Sequence, residues 1–526
     1  MKKFLAILFC IAVTLSFAAC NSGKTVDNSD RTDVIVAMGT GSEPAYGFDP
    51  IYGWGSSEHV HEPLIQSTLI NTDQDMNFVN DLATDYRCSD DGLIWTFQIR
   101  DDAKFTNGDP LTAKDVAFTY NKILSTESTE TDMSMLKEAR ATDDYTVAFE
   151  LKQPYNAFLY TVAVTGIVPE SAYGEGYAEN PIGSGRYMLK EWDKGQQAIL
   201  VVNPDYYGAA PKMDKLVVLF MEEDAALAAV KSGEVDIAYT SAVYSDVEVG
   251  GYQLLSFDTV DSRGISLPTV AAGGTRSDGE NEYALGNDVT SDLAIRQAMN
   301  YAVDRDAMVK NVLNGHGQAA YSVCDGMPWA ADLAFDRDLA KAKQLLVDGG
   351  WADSDGDGIV EKGDLQAAFD LYYPASDSVR QGLATEFANE MKEIGIEVTI
   401  HGESWDNIYT HEYSDPILWG WGSNSPTEAY ILNYGPSPSN FASYNNADLD
   451  KILDEAMSSL DLNTAYQNFQ EAAQYTSVSG DATWVWLANI DHLYFARDDL
   501  NVASQKLHPH GHGWSLLNNV NEWTWQ

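Results

Sequence analysis

Basic residues are scarce in this chain of 526 residues. Lys and Arg number 32 against 79 Asp and Glu, for a formal charge of −47. A surface of that sign repels nucleic acid and anionic lipid, which removes both as partners. Cysteine is rare, at Cys10, Cys20, Cys88 and Cys324. Long apolar runs are missing apart from Phe4–Phe17, which is too short to span a bilayer. The sequence also lacks HExxH, GxSxG and the GxxxxGK[ST] phosphate loop, so no recognised catalytic constellation is present. Carboxylates are so abundant that spacing alone cannot single out a catalytic pair. No enzyme activity and no cofactor are predicted.

What is present begins with an export signal. Lys2 and Lys3 precede the apolar stretch, and Ala18-Ala19-Cys20 ends it with small residues before a cysteine. This resembles a bacterial lipoprotein signal, with residues 1–19 removed and Cys20 carrying lipid; Phe17 stands where Leu is usual. Loss of Lys2 and Lys3 leaves a mature charge of −49. Polar residues 20–32 read as a flexible tether. The predicted location is extracytoplasmic, at the membrane through the anchor. Cys88 and Cys324 are then the remaining thiols; a disulfide is permitted in that compartment.

The run Trp95–Tyr120 carries the most information. Trp95, Phe97 and Ile99 alternate with Thr96, Gln98 and Arg100, the period of a half-buried strand. Asn107-Gly108-Asp109-Pro110 is turn chemistry. Thr112 sits at an N-cap position with Asp115 three residues on, and Val116, Tyr120, Ile123 and Leu124 form a helical stripe. This strand–turn–helix resembles the signature segment of the family 5 extracellular solute-binding proteins, the peptide and nickel receptors of ABC importers. Pro181–Tyr187 resembles that family's NPIGTGPY turn with Arg186 in place of Pro. Asn203–Gly208 with Pro211–Asp214 resembles NPDYWG…PKLD, and Ala294–Asp304 resembles VRQALNYAID.

The resemblance implies an α/β, two-lobed periplasmic-binding type II fold. Lobe I would cover 33–285, with an extra subdomain at about 71–180, and would be completed by 490–526. Lobe II would cover 286–489, with hinges near Gly286 and Asp491. Cys88 and Cys324 would then lie in different lobes. Such a receptor, a monomer, closes on its solute and docks on the permease and ATPase complex.

The cargo is less determined. The family's peptide binders hold the ligand's amino terminus with an aspartate in a segment like GW-x-GD-x-x-DP. Here the stretch is Trp419–Pro426, and alignment on its ends puts Gly422 at that aspartate; Glu428 substitutes only if the loop turns inward. Trp419 and Trp421 are predicted to line the cleft, with core packing as the alternative; Asn424, Trp54 and Tyr155 are further lining candidates. The second reading is a nickel or other transition-metal chelate. His59, His61, His508, His510 and His512 form two clusters, alternate spacing puts strand side chains on one face, and imidazole suits nickel. The plainer reading of those histidines is structural. A sugar or opine is a third possibility. Asp353–Asp364 resembles an EF-hand loop through its glycine position, but an Asp/Gly-rich turn between a helix and a strand is the preferred reading.

Overall fold

The computed structural model describes residues 28–56, 60–127, 129–277, 281–511 and 513–526. The signal, Cys20, residues 20–27 of the tether, His59 and His512 lie outside them. Two large sheets organise the rest. The first has seven strands in the order Tyr252–Phe257, His492–Arg497, Ile237–Thr240, Asp33–Met38, Lys215–Phe220, Gln197–Val202 and Tyr187–Asp193. Asp33–Met38 is parallel to both neighbours and the other pairings are antiparallel. One face buries Val34, Val36, Leu216 and Val218 against Trp514, Leu517 and Trp523 of the carboxyl terminus. Helix Glu223–Ser232 covers Ala37, Ala238 and Phe495.

The second sheet runs Gly317–Ala319, Trp484–Ile490, Ser262–Ser266, Ile417–Trp421, Ala368–Pro374 and Glu397–Glu403. Its last two strands are parallel and joined through helix Ser378–Lys392, whose Leu383, Phe387 and Met391 enter the core. The chain leaves the first sheet after Phe257 and enters the second at Ser262; Asp491 alone separates Ile490 from His492 on the return. The crossing expected near Gly286 therefore lies at residues 258–261. Gly286 itself is inside the second lobe, its amide bonded to Tyr413 O.

A four-stranded antiparallel sheet, Ala83–Cys88, Ile94–Ile99, Thr146–Leu151 and Leu136–Asp143, packs with helix Ala113–Leu124 as a separate layer. The Trp95–Tyr120 pattern is realised here in detail. Phe97 and Ile99 are buried, Gly108 takes φ 90°, and Asp115 Oδ2 accepts from the Thr112 amide at 2.9 Å. Val116, Tyr120 and Ile123 face the core.

Cys88 and Cys324 are free thiols. The Asp353 loop joins helix Leu339–Asp348 to the hairpin Glu361–Lys362/Leu365–Gln366, and Asp353 accepts from the Gly356 and Gly358 amides. It is thus a helix-to-strand turn, and Asp353, Asp355, Asp357 and Glu361 also lie within ligation range of one another. Among the described residues no helix is long and apolar enough to cross a membrane.

Candidate functional site

Where the lobes meet, they enclose a cavity of about 220 Å³. The first lobe and its extra layer supply His61, Glu62, Asn71, Asp132, Tyr155 and the segment Lys506–Pro509; the second supplies Ser423, Asn424, Ser425 and Thr427. The lips touch beside it. Asn156 N donates to Met457 O at 2.9 Å, and the Tyr160 and Tyr466 hydroxyls are 3.1 Å apart.

The second-lobe wall is the loop that follows strand Ile417–Trp421. Gly422 presses on the outgoing crossing, so that a Cβ there would overlap the Val260 carbonyl oxygen, and Gly422 O accepts from His510 N at 2.7 Å. No aspartate fits this position on this backbone, so the missing carboxylate is a packing requirement. The loop does turn Glu428 inward. Its side chain is nevertheless half-buried outside the cavity lining, with Oε2 buried and unpartnered among the described residues. Burial, reinforced by the Asp261 charge, pushes the Glu428 carboxyl up to about 8, against the pull of the Gly422 and Ser423 amides.

Of the predicted lining residues, Asn424 and Tyr155 border the cavity. Asn424 Nδ2 donates to Leu507 O at 3.4 Å across the lobes, and its Oδ1 is buried without a partner among the described residues. Burial raises the Tyr155 phenol to about 12, with Thr427 of the opposite lobe as its hydrogen-bond neighbour. Trp419 is 3% exposed, stacks on Phe441 at 4.3 Å and donates to Ser266 Oγ at 3.0 Å. It is a core residue, because its strand position points into the second lobe. Trp421 packs on Phe441 outside the lining. Trp54 is outside this lining but borders the adjoining flank with Glu130 and Trp514, edge-on to His61 at 4.4 Å and to Trp514 at 4.9 Å.

Among the described residues, His61, His508 and His510 do not come together as a metal set. His61 borders the cavity with Nδ1 on Glu62 O at 3.0 Å. His508 has its ring nitrogens on His492 and Gln505, at 3.1 and 3.2 Å, and His510 Nδ1 meets Asp261 Oδ1 at 2.5 Å. Among the described residues, the group of potential ligands that lies close together is the Asp353 loop and contains no histidine. The alternate-spacing expectation fails because Lys506–Gly511 is a loop, whose side chains follow no strand alternation.

Several site residues carried no sequence signal. Lys506 is half-buried at the cavity wall, donates to Asn71 Oδ1 at 2.9 Å, and burial lowers the pKa of its ammonium. Asp261 is fully buried at the outgoing crossing. Burial opposes its charge, but Arg263, His510 and His492 overcome this and hold the carboxyl well below the usual range. Arg186, flagged by its replacement of proline, pairs with Glu62 and donates to Asn518 O at 2.9 Å, tying the cavity wall to the carboxyl-terminal segment.

Known proteins resemble the chain over nearly its whole length. Protein XP55 of Streptomyces lividans is 32% identical over 93% of this chain and 90% of its own. The oligopeptide-binding protein AppA of Bacillus subtilis is 27% identical over 96% of each. The fold matches the crystal structure of NikZ from Campylobacter jejuni in complex with Ni(L-His), with a TM-score of 0.78 at 23% identity over 94% of this chain and 99% of that one. The model of the bacterial extracellular solute-binding proteins, family 5 Middle, matches residues 77–443. With the two-lobed architecture and a cavity at the lobe junction, these matches establish that the chain belongs to the family 5 bacterial extracellular solute-binding proteins.

Proposed function

We propose that the protein captures a short peptide between its lobes and delivers it to an ABC importer. The observation that carries this reading is the charge layout of the cavity. Lys506 borders it on the flank that continues toward Met76 and Met327, whereas Glu130 borders it on the flank that continues toward Gly41 and Trp514. Asp132 adds a carboxylate to that of Glu130, while the third lining carboxylate, Glu62 beside Lys506, is paired with Arg186. A cation on one flank and carboxylates on another complement a zwitterion with separated ends. A volume of about 220 Å³ lies below the roughly 300–1,000 Å³ of drug-sized sites, which favours two or three residues over a long peptide. Asn424 Oδ1 offers an acceptor for a ligand N–H. The oligopeptide-binding relative is consistent with this cargo.

Binding that holds the lobes together favours the closed form by its differential affinity, and no covalent step is required. We further propose that Cys20 carries the lipid anchor and that the mature chain acts as a monomer presented to the permease and its ATPase. Titration calorimetry with trialanine, its N-acetyl form and its C-terminal amide tests the cargo. Tight binding of the free tripeptide with loss on either capping supports the reading; equal binding of all three overturns it.

A further inference from the structure

The joint between the lobes contains a proton count that does not close with neutral histidines. Trp523 Nε1–H donates to Asn519 Oδ1 at 2.9 Å, and Asn519 Nδ2 donates to Ser504 O at 2.7 Å. These contacts fix which end of the Asn519 amide is oxygen. The same oxygen accepts from Gln505 Nε2 at 2.8 Å, and Gln505 Nε2 also donates to Ala503 O at 3.1 Å. Gln505 must therefore present its oxygen to His508 Nε2, 3.2 Å away. An amide oxygen carries no proton, so His508 Nε2 carries one.

The other end is fixed by Asp261, whose ionised carboxyl places Oδ2 3.1 Å from His492 Nε2. His492 Nε2 is therefore protonated as well. Between the rings the two Nδ1 atoms face each other at 3.1 Å. A neutral imidazole has one N–H, and both are already spent on Nε2. Two bare lone pairs would meet in a buried site unless one further proton lies between them.

We propose that His492 and His508 hold one proton more than two neutral rings, forming a continuous chain from Asp261 through both imidazoles to Gln505. The proton resides mainly on His492, beside the carboxylate. Burial opposes it on both rings, and Asp261 favours it on His492. Among the described residues, the titratable and charged groups around the chain include Arg263 and His510 on Asp261, Arg380 near His510, Glu428 near Asp261, and Asp491 beside His492.

The location gives the proton a mechanical role. Asp261 ends the outgoing crossing and His492 begins the strand after the return. His508 is held by Val260 N donating to its carbonyl at 2.9 Å and by its own amide donating to Asp258 O at 3.2 Å. The same segment walls the cavity through Lys506, Leu507 and Pro509. One proton thus fastens both crossings to the cavity wall. The joined form binds it, so the joint is firm at lower pH and loosens as pH rises through the pair's apparent pKa.

Nitrogen-15 NMR of the full mature chain labelled in histidine, at pH 7, tests this directly. The expected spectrum shows one ring with both nitrogens protonated, coupled through N–H···N to a second ring with a bare Nδ1. Replacing Gln505 by Met frees His508 to move its proton to Nδ1 and complete the chain in the neutral form, so the imidazolium signal is expected to disappear in Q505M. Two neutral rings in the unaltered protein, or an imidazolium that persists in Q505M, would overturn the proposal.

Discussion

Replacing Glu428 by Gln isolates the electrostatic cost hidden behind the cavity wall. The carboxyl rises from 4.5 to about 8, chiefly by burial and then by the nearby Asp261 charge. Between those values the folded chain keeps a proton that the unfolded chain has released, so stability falls as pH rises across this window. The interval is about 3.5 pH units at ~1.36 kcal/mol each, giving an upper limit of about 5 kcal/mol. Glutamine has nearly the same shape, keeps an oxygen for the Gly422 and Ser423 amides, and cannot ionise. Urea unfolding followed by tryptophan fluorescence, at a series of pH values from 4.5 to 8.5, reads the effect. Variant and unaltered protein are expected to unfold at similar urea concentrations near pH 4.5. They then diverge, with the variant more stable by several kcal/mol at pH 8. Other titrating groups, including Glu390, whose carboxyl burial pushes up to about 7, contribute equally to both proteins and cancel. Parallel curves over the whole range would refute a buried, protonated Glu428.

Three further substitutions follow from the geometry. Lys506→Met removes the cavity's ammonium and should weaken a free tripeptide about 10- to 100-fold by calorimetry, while a C-terminally amidated tripeptide should bind both proteins equally. Trp419→Phe loses the bond to Ser266 and should cost about 1–3 kcal/mol of unfolding free energy, with peptide affinity unchanged; a large affinity loss would return Trp419 to the binding surface. Gly422→Ala forces a methyl onto the Val260 carbonyl and should cost about 1–3 kcal/mol in the same urea assay.

The sequence was most legible where local chemistry and fold agree. In Trp95–Tyr120 the strand alternation, the turn and the Thr112–Asp115 cap are all satisfied within a few residues of one another. The outgoing crossing, which the resemblance implies near Gly286, lies instead at residues 258–261, where no linker composition marks it. The Gly286 turn serves the interior of the second lobe, its amide bonded to Tyr413 O. Trp419 and Trp421 are expected in the cleft because an indole offers rigid apolar surface and a donor, yet the facing of a strand residue depends on which sheet it joins. Lys506 and Asp261 were silent for a different reason. One is a lysine in an ordinary polar loop and the other is one of 79 acidic residues; only tertiary contacts distinguish them. The histidine pattern was visible, but its key partner, His492, lies on another strand and escaped the spacing argument.

Native mass spectrometry of the mature protein purified from rich medium reads the cargo without choosing it in advance. A short peptide captured through its two charged ends predicts a ladder of masses one di- or tripeptide above the unliganded chain, in one-to-one stoichiometry and released on denaturation. Stoichiometric nickel lost to a chelator, with no bound peptide, would contradict it.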